Sequence, residues 1–463
     1  MNYLLSFETP QIEKIHEGKV RDSLRIDDNT RMIVVTDRLS AFDRVLDTPI
    51  PNKGAVLNGI ANWWFEQTTD IIPNHLIRQI DPNITLVKEA NPIKVEVIVR
   101  GYLTGSMWRG YKKGKRTFSG VTVQDGLTKN QRFENPIVTP TTKEKNDRPI
   151  TPENIVIEGL IDAATYAQME KVALQLFARG TEYLASKGIV LVDTKYEFGL
   201  IDGELILIDE MHTPDSSRFW SVADYNANPE TATQIDKEYV RQWLIANDYP
   251  MELSDEVAAE ASLRYIKMYE LITEKPFVET GEPTKNRMTR NLVNEGLMKD
   301  AFVAIIMGSK SDLTHCRKIK GHLEKYDVFV DMRVVSAHKN GERIGGMAAV
   351  YNNSVEAGAV IAVAGRSNGL GGALSANFNV PVINCPPYSN KTDLMLNINS
   401  SLVMPSRTPA STVVHTDNAA YAAVRSLNLQ RLREQVSQEI ADMKADLIVA
   451  DASLRQAVEE LQA

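Results

Sequence analysis

Four short apolar runs in the last third of the chain constrain the fold most tightly. They are Phe302–Met307, Val328–Val335, Ala359–Ala364 and Val380–Cys385, and segments of helical length separate them. Strands that alternate with helices pair in parallel, with helices covering both faces of the sheet. The rhythm therefore predicts a three-layer α/β domain over residues 301–428. In such a sheet the binding loops lie at the carboxyl ends of the strands. Here those loops read MGSKSD, SAHKN, AGRSNGLGG and CPPYSN.

The first 285 residues have a different texture. Strand-like runs at Arg31–Thr36, Lys94–Arg100, Ile189–Thr194 and Glu204–Asp209 stand in no regular order with helices, which predicts an α+β domain. Thr165–Lys187 has helical periodicity and ends at Gly188, a C-cap signal. The polar stretch 286–300 reads as the linker, with part of it a short helix. Leu429–Ala463 carries an apolar stripe at helical spacing and predicts one long amphipathic helix, packed on its own domain or on a neighbouring subunit.

A chain of 463 residues with a formal charge of −8 lacks the basic footprint that bulk nucleic-acid binding needs. Small anions remain within reach, since local Arg, Lys and backbone N–H groups capture them whatever the global sign. No apolar run is long enough to span a bilayer, and the N-terminus has no secretory pattern. The two cysteines offer neither a disulfide framework nor metal-ligand spacing. A cytoplasmic enzyme without nucleic-acid or membrane partners is expected.

The densest chemistry lies in Leu191–Trp220. Two strands joined at Asp202–Gly203 form a hairpin, with Glu197 and Asp209 near its ends and Lys195, Glu210, Asp215 and Arg218 close by in sequence. Such a carboxylate pair suits Mg²⁺, which often takes one or two protein carboxylates beside nucleotide phosphates. Ion pairing with Lys195 or Arg218 is the alternative. Gly18–Lys19 offers close backbone approach to a phosphate plus a cation, or simply a turn. His212, beside a turn, reads as structural.

Several motifs in order resemble the SAICAR synthetase (phosphoribosylaminoimidazole-succinocarboxamide synthase) family over roughly the first 280 residues. They are HEGKVRD (His16–Asp22), TDRLSAFDRVL (Thr36–Leu46), KVEVIVRGYLTGS (Lys94–Ser106), LVDTKYEFG and DEMHTPDSSRFW. The resemblance implies an ATP-grasp-related ligase that joins the carboxylate of CAIR, the carboxylated aminoimidazole nucleotide, to L-aspartate. It implies ATP and phosphate contacts at Gly18, Lys19, Lys94 and Glu96, and magnesium at Glu197 and Asp209. Lys195 is a catalytic candidate. Ser40, Asp43, Arg100, Ser106, Asp215 and Arg218 would bind the nucleotide substrate.

Residues from Ala301 onward resemble the AIR carboxylase (PurE) family, whose domains are flavodoxin-like. The motifs are IMGSKSD, VVSAHKN and AVAGRSNGLGG. The SAHK and AGRSN text matches the branch that adds CO₂ directly to aminoimidazole ribonucleotide (AIR), without ATP or biotin. His338 and Lys339 would be catalytic, with Ser309, Ser311, Asp312, Ser336, Gly365, Arg366, Ser367 and Asn368 around the nucleotide. Asp312 could instead cap a helix. Relatives of this domain form octamers, so a homo-oligomer is implied. Two alternatives stay open: a mutase acting on an N-carboxylated nucleotide, and a non-catalytic oligomerisation module. One departure stands out, SSLVMPSR at Ser400–Arg407, where relatives often read SSLRMPSG.

Overall fold

The computed structural model describes residues 3–42, 44–144, 147–232, 237–365 and 369–462. The chain forms two compact units. One contains residues 3–6 and 14–291; the other contains Phe7–Glu13 and residues 292–462.

The first unit is built on two sheets. The five-stranded sheet runs Glu13–Glu17, Arg21–Arg25, Thr30–Val35, Ile84–Lys88, Leu76–Asp81. The larger sheet runs Arg132–Val138, Asn91–Tyr102, Ile189–Ile201, Glu204–Ile208, with Thr141–Thr142 and Ser217–Ser221 added beside its central strands. Alternation on Asn91–Tyr102 sends Ile93, Val95, Val97 and Val99 into the core. Glu96, Ile98 and Arg100 are left on the opposite face.

The antiparallel register then sets Glu197 opposite Glu96, Lys195 opposite Ile98 and Asp193 opposite Arg100. Paired residues share a face, so one side of the sheet carries a charged row. At about 3.4 Å per residue its two ends lie about 14 Å apart.

Local signals explain the flanking elements. Asp202 and Gly203 both have positive φ, 52° and 82°, as a two-residue type I′ turn requires. The Ala163–Ser186 helix starts at Asp162, whose Oδ1 accepts the Thr165 N–H at 2.9 Å, and is followed by Gly188 at φ 74°. Much of the stretch expected as a linker is helical, Thr284–Asn294. Arg287 ties it to the first unit through Asp81, with Nε at 2.9 Å from Oδ2.

The second unit is a parallel sheet in the order Phe329–Val334, Ala301–Met307, Ala357–Val363, Val382–Asn384, Ser411–Thr412. This is the doubly wound order 2-1-3-4-5. Alternate residues of Ala301–Met307 feed two cores: Ala301, Val303, Ile305 and Met307 one way, Phe302, Ala304 and Ile306 the other. The short last strand, Ser411–Thr412, has no counterpart in the sequence reading.

The segment Phe7–Glu13 also belongs to this unit. Thr9 Oγ1 donates to Glu356 Oε1 at 2.7 Å, and the Gln11 amide exchanges two hydrogen bonds with the Lys299 backbone. The terminal helix Gln430–Gln462 is anchored at its start. Leu432 and Val436 are buried, and Arg431 Nε lies 2.8 Å from Asp300 Oδ2. Beyond the anchor, Met443, Leu447 and Leu454 are exposed. No helix among the described residues is long and apolar enough to cross a membrane.

Candidate active sites

A cleft of about 940 Å³ opens on the charged face of the larger sheet. Gly18, Lys19, Arg21, Glu96, Lys143, Lys195, Glu197 and Asp209 all line it. Gly18 closes a turn by donating its N–H to the Arg21 carbonyl at 2.7 Å. A Cβ at Gly18 would meet that same oxygen at 2.8 Å, so the turn excludes any side chain. Arg38 Nη2 donates to the Gly18 carbonyl at 2.9 Å and Nε to that of Lys19 at 3.2 Å, holding the turn in place.

The charges in the cleft are arranged in pairs. Lys195 Nζ lies 2.7 Å from Glu96 Oε1 and 3.1 Å from Glu197 Oε1. Lys143 also pairs with Glu197. Arg21 holds Asp209, 2.8 Å away, and Glu210. Against the opposing pull of burial, Glu197 and Glu96 keep Lys195 protonated well above its usual range.

A second cluster stands at the other end of the charged row. Asp193 Oδ2 lies 2.8 Å from Arg218 Nη1 and 3.3 Å from Arg100 Nη1. Arg100 Nε donates to Thr139 Oγ1 at 2.9 Å. Gly105, at φ 58°, packs so tightly under the Arg218 guanidinium that a Cβ would collide with it, and Ser106 follows it, exposed. Asp215 instead faces two helices. Its Oδ2 is 2.8 Å from Lys53 Nζ, and its Oδ1 accepts from the Tyr265 hydroxyl at 3.1 Å.

Not every expected residue joins these clusters. Lys94 lies on the same strand face as Glu96 but is exposed and outside the lining of the cleft. Ser40 is half-buried on the short strand Ser40–Ala41; Asp43 lies outside the described residues. His212 is sealed in the core, with Nε2 2.6 Å from the Tyr196 hydroxyl and a pKa pushed down to about 3 by burial. That environment fits the structural reading of this histidine.

In the second unit the loops after three parallel strands converge. A Cβ at Gly308 would meet Ala364 at 3.4 Å, and one at Gly369 would meet His338 Nε2 at 3.1 Å. Ser336 donates its N–H to Asn340 Oδ1 at 2.8 Å, closing the loop that presents His338 and Lys339, both exposed. Ser309 accepts the Ser311 N–H at 3.3 Å. Asp312 makes no side-chain cap to the helix that follows, and partial burial raises its carboxyl pKa. Asn397 packs under Gly365, where a Cβ would meet its Nδ2 at 3.1 Å. Arg366, Ser367 and Asn368 lie outside the described residues.

Residues 14–256 match the family model of SAICAR synthetase, and residues 302–447 that of AIR carboxylase. The chain belongs to the SAICAR synthetase family. A phosphoribosylaminoimidazole-succinocarboxamide synthase from Azobacteroides pseudotrichonymphae is 44% identical over 292 residues, 60% of this chain and 90% of the relative. The structure of a SAICAR synthase from Saccharomyces cerevisiae in complex with SAICAR is 32% identical, covering 60% of this chain and all of that one, with a TM-score of 0.55. A Treponema denticola PurE structure is 33% identical over 33% of this chain and 98% of its own, with a TM-score of 0.32. By the two family models, the chain is a SAICAR synthetase unit fused to an AIR carboxylase-like one.

The synthetase cleft fits Mg²⁺ delivered with a nucleotide. Glu197 and Asp209 line one cleft, and the negative charge of Asp209 helps to raise the Glu197 pKa, a repulsion that a divalent cation would relieve. Among the described residues no three His, Cys, Asp or Glu side chains form a metal cage. Mg²⁺ bound through phosphates does not require one.

Four residues of this synthetase went unnoticed in the sequence. Asp193 was legible by period-2 spacing from Lys195 and Glu197. Arg21 lies inside the HEGKVRD motif. Lys143 and Lys53 gave no signal, because only the folded chain brings them to Glu197 and Asp215.

Proposed function

We propose that the chain is a bifunctional enzyme of purine synthesis. Its C-terminal unit carboxylates AIR with CO₂, and its N-terminal unit joins the product, CAIR, to L-aspartate with ATP, releasing SAICAR, ADP and phosphate. The observation that carries the ligase reading is the shared face of the larger sheet. There the Glu96–Lys195–Glu197 cluster lies at one end of a charged row, and Asp193 with Arg100 and Arg218 at the other.

Amide formation from a carboxylate at neutral pH needs an activated acyl group. Phosphoryl transfer from ATP to the substrate carboxylate makes an acyl phosphate, and the aspartate amine then displaces phosphate. Catalysis of such a transfer is mainly positioning and charge neutralisation. In this reading the Gly18–Lys19 turn approaches the ATP phosphates, Lys195 supplies a fixed positive charge, and Arg100 and Arg218 grip the anionic nucleotide. Glu197 and Asp209 would hold Mg²⁺, which supplies further neutralisation of phosphate charge.

The carboxylase reading rests on the SAHK and AGRSN text and on the convergence of its loops around His338. The aminoimidazole ring carbon is nucleophilic enough to attack CO₂, so ATP is not required. The ring carbon must then lose its proton, a task for an imidazole acting as general base. His338 takes that proton, and Lys339 sits beside it for the carboxylate or phosphate. By family resemblance the enzyme works as a cytoplasmic homo-oligomer, an octamer.

Incubation of purified protein with AIR and bicarbonate, without ATP or aspartate, tests the second activity. Enzyme-dependent CAIR is the expected result. Its absence, with the ligase active on supplied CAIR, would favour the mutase or the oligomerisation module.

A further inference from the structure

Lys53 is completely buried, the first residue of the helix Lys53–Gln67. Its ammonium lies 2.8 Å from Asp215 Oδ2 and 5.8 Å from the centre of the Tyr265 ring. Tyr265, on the helix Asp255–Thr273, donates to the other Asp215 oxygen at 3.1 Å. One carboxylate is thus bolted to two helices. The Lys53 side chain has no exposure while that of Asp215 retains 7%.

Stability alone is a poor reason for such a pair. Taking both charges out of water costs several kcal/mol per ion, and apolar replacements of equal volume are often neutral or better. The segment around Asp215 is itself heavily restrained. Thr213 Oγ1 donates to Glu210 and accepts the Asp215 N–H at 3.3 Å, the Ser217 N–H reaches the Thr213 carbonyl at 2.9 Å, and Lys195 donates its N–H to the Ser216 carbonyl at 3.0 Å. Asp209 and Arg218 bracket the same segment. A carboxyl fixed in this place can do what packing does not supply, accept a hydrogen bond from a substrate hydroxyl or amine.

We infer that Lys53 is a positioning residue of the ligase, which together with Tyr265 holds the Asp215 carboxyl in place for the imidazole-carboxylate nucleotide. The inference rests on the proposed role of Asp215 as a ligand of that nucleotide. In this reading Lys53 acts on the substrate through Asp215 rather than by touching it.

Steady-state kinetics of the full-length protein with Lys53→Met, Tyr265→Phe, Asp215→Asn and the Lys53→Met/Asp215→Asn double variant test it. Lys53→Met and Asp215→Asn should each raise KM for the nucleotide about tenfold or more, with KM for ATP changing less than about twofold. If Lys53 acts through Asp215, the double variant should raise KM for the nucleotide no further than Asp215→Asn does. Tyr265→Phe, which keeps the ring, should move the same KM by a smaller factor and serves if Lys53→Met does not fold. Two outcomes would overturn the inference: folded variants with an unchanged KM for the nucleotide, or parallel increases in KM for nucleotide and ATP. An unchanged KM in Asp215→Asn itself would remove the premise, locating the failure in the role given to Asp215.

Discussion

Glu197 and Asp209 line the same cleft and are pushed in opposite directions. Burial acts to raise both carboxyls. At Asp209 that effect is overcome by Arg21 first, then Lys195 and Lys143, and the pKa falls to about 2. Glu197 stays above its usual value, because burial and the neighbouring charge of Asp209 outweigh Lys195 and Lys143. Arg21 and the lysines thus favour the ionised form of Asp209, while burial and the charge of Asp209 work against that of Glu197. Glu197→Gln should lower ligase kcat at least about 100-fold by removing a charged group from the phosphate site. Nucleotide binding measured with and without Mg²⁺ should then lose most of its metal dependence, with AIR carboxylation unaffected.

Gly105 and Arg218 should behave as one unit. Gly105→Ala forces a side chain onto a left-handed backbone and into the Arg218 guanidinium. Both Gly105→Ala and Arg218→Ala are expected to raise KM for the imidazole nucleotide by about 10- to 100-fold while sparing KM for ATP. If Gly105→Ala instead leaves nucleotide binding intact, the placement of Arg218 does not depend on this contact.

His338→Ala should abolish carboxylation and leave the ligase active on supplied CAIR. Separate assays of the two half-reactions on the same folded, normally assembled preparation read this directly. Loss of both activities would contradict independent sites.

Arg407 adopts φ 66°, a left-handed conformation that costs a non-glycine residue about 1 kcal/mol or more. Glycine avoids that cost, so Arg407→Gly should stabilise the C-terminal unit by about 0.5–1 kcal/mol in urea unfolding. A decrease in stability would mean that the arginine side chain makes compensating contacts in the assembled enzyme.

His212 makes acid stability measurable. Its folded pKa of about 3 lies below the ordinary 6.5, so the unfolded chain binds a proton that the folded core refuses. Its contribution is complete above about pH 6.5 and is lost progressively as pH falls toward 3, by about 1.4 kcal/mol per pH unit. His75, pushed down to about 4 chiefly by burial, adds a second loss over the upper part of that window. His212→Asn, which tolerates the left-handed φ of 50° at this position, should flatten the decline between pH 6.5 and 4 by about one proton. Equilibrium unfolding at stepped pH checks the slope; an unaltered slope would mean that His212 titrates normally.

What the sequence determined by itself was local. Apolar runs at period 2, the Asp202–Gly203 turn, the Asp162 cap and Gly188 stop, and the alternation after Ala301 are all encoded within a few residues, where backbone preference and side-chain period act directly. The motifs likewise name Gly18, Glu197 and Asp209, which the fold brings to one cleft. The sequence alone could not bring Lys143 to Glu197, Arg21 to Asp209 or Lys53 to Asp215 across 54, 188 and 162 positions. Nor could it assign Phe7–Glu13 to the second unit. Those pairings depend on strand register and helix packing, which are settled by burying the whole core at once. Lys94 shares a strand face with Glu96, and its exposure outside the lining of the cleft is likewise a matter of the folded chain.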